Sequence, residues 1–226
     1  MQEILVLARK ERLFKMGRSK NVLEFYYLAC QLKELVRSGW NQWNVPVERK
    51  ESVAEHIFGT CILAIAVNSE YKCDIDINKV LTMLVLHELE EIVISDITLF
   101  DGISQEEKAR MGHEGIKKVL STLENGYEYE ALILEFDAHS TKESQFAYMC
   151  DKLEANLMSF YYDRDKNCTL ENASERFKAN KEILELSENG KRTMGECFYL
   201  YEKILDRLDD KFLEVLEEAW RYNGLN

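Results

Sequence analysis

Two histidines, a glutamate and an aspartate stand in this sequence where apolar residues belong. Counted at about 100° per residue, His56 shares a stripe with Val53, Thr60, Leu63 and Val67. The same count from His87 gathers Val80, Met83, Leu84, Glu91 and Ile94, and from Asp151 it gathers Ser144, Ala147, Tyr148, Ala155 and Met158. Such stripes are the core-facing sides of amphipathic helices. An imidazole or carboxylate placed there needs a partner, because an unpaired charge taken out of water costs several kcal/mol or more. A divalent cation suits both groups, since neutral imidazole nitrogen and carboxylate oxygen can bind it together. One such histidine alone is most often a satisfied core residue. Polar groups on three separate stripes point instead to a shared metal ion.

The elements that must carry these side chains are helices. Ser52 to Asn68 opens on Ser52-Val53-Ala54-Glu55, a capping box in which the hydroxyl and the carboxylate satisfy each other's backbone N–H. A fourth helix, capped by Asp76 or Asn78, is expected to run to about Ile94, and Thr141 to Tyr162 carries Asp151. Around them the pattern predicts helices over Glu3–Lys15, Asn21–Arg37, Ser104–Leu123, with a second capping box at Ser104–Glu107, and Tyr127–Asp137. Glu175–Leu186 and Cys197–Tyr222 complete the series. Ser38–Glu51 breaks the periodicity and holds Trp40, Trp43 and the sole proline, Pro46. A loop tryptophan there either walls a flat ligand or plugs the core. Ser95–Ile103 is a second loop, in which Asp96 ends a helix or serves the site and Asp101 is a turn residue. Glu90 reads as a solvated helix edge, and His113 and His139 as surface residues.

Composition sets the class. The 226 residues are 46% hydrophobic and 31% charged, with one proline and ten glycines. Strands need turns rich in those two residues, so their scarcity argues for long helices and an all-α fold. The chain divides into an N-terminal helix (1–20), a central domain (21–162) and a C-terminal helical extension (163–226) packed on the same domain. The net charge of −12 and pI near 5.0 argue against a nucleic-acid duplex as partner. Six cysteines without a CxxC pair read as free thiols of a reducing compartment. No run approaches the ~18 apolar residues of a membrane span, and no signal peptide is visible, so a cytoplasmic location is expected.

The order of His56, then His87-Glu88, then a distant Asp151 resembles the HD-domain phosphohydrolase superfamily, whose pattern is His, His-Asp and a remote Asp on an all-α bundle. Glu51–His56, His87–Thr98, Glu106-Glu107-Lys108, Cys150–Glu154 and Arg37–Trp40 are similar to its 5′-deoxynucleotidase branch, over roughly Asn21 to Phe160. The resemblance implies that His56, His87, Glu88 and Asp151 hold a divalent cation (Mn, Co, Zn, Mg, Fe or Ni). It implies that Glu91 and Asp96 handle the attacking water, proton or sugar, and that Arg37 and Trp40 meet the nucleotide. The expected reaction removes the 5′-phosphate from a (deoxy)nucleoside monophosphate, in a homodimer. Glu88 stands where the family has Asp. The alternative is therefore a non-catalytic HD protein that binds a nucleotide or metal.

Overall fold

The structure is a computed structural model that describes residues 17–96, 102–164, 168–179, 184–185, 192–204 and 207–223. Helix α1 (residues 17–29) passes into a 3₁₀ turn, Cys30–Lys33. An antiparallel bridge between Val36 and Ser52 then ties the chain to the start of the next long helix. Val53 N–H donates to Leu35 O at 2.8 Å and Arg37 N–H to Glu51 O at 3.1 Å. The segment between the two tied ends includes a short helix, α2 (Ser38–Gln42). Helix α3 (Val53–Tyr71) begins at the expected capping box: Ser52 Oγ accepts from Glu55 N–H while the Glu55 carboxylate accepts from Ser52 N–H. Helix α4 (Ile77–Leu86) is capped by Asp76, whose carboxylate accepts from the N–H groups of Asn78 and Lys79.

Helix α4 does not run on to Ile94 as its periodicity predicts. It stops at Leu86, and residues 87–90 form a tightened turn before the single-turn helix α5 (Glu91–Ile94). The cause is local. His87 Nδ1–H donates to Leu84 O at 2.7 Å, occupying the carbonyl that the Glu88 N–H would use in a continuing α-helix. The following amides fall back on 3₁₀-type bonds, Leu89 N–H to Leu86 O and Glu91 N–H to Glu88 O.

Helices α6 (Gln105–Leu120) and α7 (Gly126–Ala138) follow, and then α8 (Lys142–Tyr162) with Thr141 as its cap. At α6 half of the expected capping box forms. Ser104 Oγ accepts from Glu107 N–H, but the Glu107 carboxylate pairs with Arg110. Helices α9 (Glu175–Lys178), α10 (Met194–Ile204) and α11 (Asp210–Tyr222) complete the described chain. The single helix expected over Cys197–Tyr222 is two, because Asp209 turns its carboxylate to the N–H groups of Lys211 and Phe212 and caps α11 anew. The helix expected over Asn21–Arg37 likewise ends early, in the 3₁₀ turn. The expected Glu3–Lys15 helix, Asp101 and most of Ala179–Leu186 lie outside the described residues.

Helix α8 is the spine, packed against α3, α4, α7, α10 and α11. Its apolar face joins Ala64, Val80, Met83, Leu84, Phe146, Leu153, Phe160, Phe212 and Leu216 in the main core. A second core holds Trp40 and Trp43 with Phe177, Met194 and Cys197, and a third gathers Leu32, Val53, Leu86, Leu89, Ile116 and Ile133. Among the described residues no β-strand forms and no helix is long and apolar enough to cross a membrane.

Candidate metal centre

The spine helix, α3 and the 87–90 turn bring four groups to one point. One ligand atom from each of His56, His87, Glu88 and Asp151 lies within 4.8 Å of the others. His56 Nε2 is 3.0 Å from Asp151 Oδ1 and 3.7 Å from Glu88 Oε1. His87 Nε2 is 3.5 Å from Glu88 Oε1 and 3.9 Å from Asp151 Oδ1. Both rings are buried, with His56 at 0% exposure. Each ring is set from behind: His87 Nδ1 donates to Leu84 O, and His56 Nδ1 is hydrogen-bonded to the Glu154 carboxylate. His87 Nε2 is thereby left as a bare, buried nitrogen without a hydrogen-bond partner. Two imidazole nitrogens and two carboxylate oxygens are a ligand set for a divalent cation, and the two negative charges balance its two positive ones. The residues present fit a metal.

The surrounding charges act on each group differently. Burial and the Arg37 charge push the His56 ring down, but Glu154 and the hydrogen bonds that the Asp151 and Glu154 carboxylates accept carry it up to about 9, so a cation binding Nε2 would have to displace a proton. Burial works against the charged form of Asp151, yet Lys152 and the two imidazoles hold its carboxyl well below the usual range. For Glu88 burial is likewise outweighed, chiefly by His87 and His56. Glu91 behaves oppositely. Burial, then the charges of Glu88 and Asp96, push its carboxyl up to about 11, and its Oε2 is buried without a partner.

The remaining expected site residues surround this cluster. Arg37 has a buried Nη1 without a partner, and its guanidinium is held charged, against burial, by Glu154, Glu88, Glu51 and Asp151. Asp96 is tied to the same segment: Ser38 N–H donates to its Oδ2 at 2.5 Å, and Ser38 Oγ–H to its backbone oxygen at 2.9 Å. Trp40 is 2% exposed, stacked on Phe198 and edge-on to Tyr162, as a core plug would be. Its Nε1–H donates to Glu51 Oε2 at 2.8 Å. His113 is exposed and faces Asp137, whereas Glu90 is no solvated edge, because its Oε2 is buried without a partner.

Two functional neighbours escaped the sequence reading of the site. Glu51 and Glu154 are both buried and share the far side of His56. Burial and then the Glu154 charge raise the Glu51 carboxyl to about 7. The signal for Glu154 was available: it lies three residues after Asp151, on the same side of α8.

The HD domain profile matches residues 29–189. This chain belongs to the HD domain family. Among HD-domain relatives, the 5′-deoxynucleotidase HDDC2 of Dictyostelium discoideum is 33% identical over 151 residues, 64% of this chain and 78% of that protein. The 5′-deoxynucleotidase hdd1 of Schizosaccharomyces pombe is 31% identical over 159 residues, 67% of this chain and 77% of that protein. A solved structure described as a predicted metal-dependent phosphohydrolase, from Magnetospirillum magnetotacticum MS-1, superposes with a TM-score of 0.65 at 18% identity, covering 93% of this chain and 95% of that one. That last likeness is one of fold. The helical HD bundle expected from the sequence is the bundle observed.

Proposed function

We propose that this protein removes the 5′-phosphate from deoxynucleoside monophosphates, using a divalent cation held by His56, His87, Glu88 and Asp151. It is an HD-domain enzyme, a metal-dependent phosphohydrolase of the phosphomonoesterase kind. One observation carries the assignment of the ligands: the buried, unpartnered His87 Nε2 faces two carboxylates and a second imidazole. The deoxynucleotidase names of the relatives supply the substrate class.

A bound divalent cation supplies a water of lowered pKa and screens the charge of the phosphoryl group. The chain does the rest. Arg37, with a buried donor to spare, pairs with phosphate oxygens and fixes the phosphoryl group. Glu91 presents a buried oxygen beside Glu88 and aligns the attacking water through a hydrogen bond. Asp96 anchors the Arg37–Trp40 segment through Ser38 and acts on the sugar side of the bond. Trp40 braces that segment through Glu51, its ring enclosed between Phe198 and Tyr162. Burial of the cluster keeps bulk water from competing with these contacts.

The non-catalytic alternative rested on Glu88 in place of Asp, but the Glu88 carboxylate reaches both imidazole nitrogens. A homodimer and a cytoplasmic location belong to the same reading. The free thiols of all six cysteines support a reducing compartment, and the acidic net charge supports a small-molecule rather than duplex partner. The test is phosphate release from a panel of deoxynucleoside and ribonucleoside 5′-monophosphates. Release with Mn²⁺ or Co²⁺ that EDTA abolishes is expected. No release from any nucleotide with any divalent metal would overturn the proposal.

A further inference from the structure

We infer that Glu154 is a positioning residue for the cation site, holding the His56 proton on Nδ1 so that Nε2 faces His87, Glu88 and Asp151. The inference rests on the reading that those four groups hold a cation. A neutral imidazole carries one N–H, and the acceptor at one nitrogen decides which lone pair the other nitrogen can offer. For His87 the acceptor is a carbonyl of its own helix, Leu84 O, at 2.7 Å. For His56 the acceptor comes from another element, the Glu154 carboxylate on α8, hydrogen-bonded to Nδ1. One face of α8 thus supplies both a ligand candidate, Asp151, and the brace of a second one. A carboxylate behind the ring also makes the opposite nitrogen a stronger donor than a carbonyl would.

A glycine gives independent support. Gly59 lies inside α3, where glycine is less favourable than alanine. A Cβ at this position would sit 2.6 Å from Glu154 Oε1 and 2.9 Å from its Cγ. The absent side chain is the space the Glu154 carboxylate occupies. The ring, the carboxylate and the glycine form one unit, and Asp151 and Glu154 of α8 lie against opposite nitrogens of His56.

The test uses the full chain, with Co²⁺ as the probe and ¹⁵N-labelled histidine. Glu154→Gln is expected to raise the Co²⁺ dissociation constant about 10- to 100-fold. Glu154→Asp should recover part of the loss, and Gly59→Ala, which displaces the carboxylate, should weaken binding in the same direction. Long-range ¹⁵N–¹H spectra of the wild-type protein, recorded above pH 9 where the ring is neutral, should show the single His56 proton on Nδ1. Unchanged Co²⁺ affinity in Glu154→Gln overturns this inference alone. A neutral wild-type His56 with its proton on Nε2 also overturns it, whether or not any variant folds. No Co²⁺ uptake by the wild-type protein overturns the cation reading and this inference together.

Discussion

At the scale of single residues, the candidate site gathers charges that a divalent cation would balance. His87 Nε2 has no hydrogen-bond partner among the described residues, and Asp151 and Glu88 are both favoured in the charged form. If the proposed four groups hold a cation, removing one would remove it and with it several kcal/mol of transition-state stabilisation. His87→Ala and Asp151→Asn should each lower phosphate release on the order of 10³-fold and abolish Mn²⁺ binding by calorimetry. Retention of either function by both variants would count against the ligand set. Glu88→Asp is a sharper probe. Because the Glu88 oxygen already lies 3.5 Å from His87 Nε2 and 3.7 Å from His56 Nε2, shortening it should change kcat/KM by less than about 3-fold, under 1 kcal/mol. A large gain of activity would instead mark Glu88 as damage to the site.

At the scale of elements, the decisive event is the break after Leu86. A continuous helix would set Glu88 about 100° around from His87, off the buried stripe. The side-chain bond from His87 to Leu84 O ends the α-helical ladder, and beyond it the long Glu88 side chain reaches to 3.5 Å from His87 Nε2. The periodicity of the apolar residues could find His56, His87, Glu91 and Asp151, because each keeps the helical count of its neighbours. It could not find Glu88, which follows His87 directly and so falls off the stripe; the family resemblance brought it in. A second junction is as tight. A Cβ at Gly126 would lie 2.0 Å from the Leu120 carbonyl oxygen, where α6 turns into α7. Gly126→Ala should destabilise the fold by about 1–3 kcal/mol, read as a lower urea midpoint. A midpoint equal to wild type would show that the junction has room to shift.

At the scale of the whole molecule, a cation at this centre would cross-link α3, the 87–90 turn and α8, three segments far apart in sequence. A ligand that binds the folded state alone stabilises it by about 2.7 kcal/mol at a hundredfold excess over Kd. Mn²⁺ should therefore raise Tm by roughly 5–10 °C in a chain of this size, EDTA should reverse the rise, and His87→Ala should show none. The C-terminal helices bear on the same spine: Phe212 and Leu216 are fully buried in the main core beside Phe146, and Met194 and Cys197 share the second core with Trp40. Phe212→Ala should cost about 3–5 kcal/mol in one cooperative transition. A separate early transition would mean that α10 and α11 unfold as a detachable unit.

Local chemistry in the chain was sufficient for the helical class, the start of α3 at Ser52, the start of α4 at Asp76 or Asn78, and the three stripes that carry polar side chains, since each of those features depends on residues a few positions apart. It was not sufficient for where several helices end. The family resemblance in the motifs then named the four ligand candidates. What only the tertiary structure decided is what stands behind and beside them. The Glu154 carboxylate behind His56 depends on α3 meeting α8 at Gly59, the burial of Trp40 on Phe198 and Tyr162, and the closeness of Glu51 and Arg37 on the bridge between Val36 and Ser52. These are contacts between segments that periodicity treats as independent, so no pattern along a single helix encodes them.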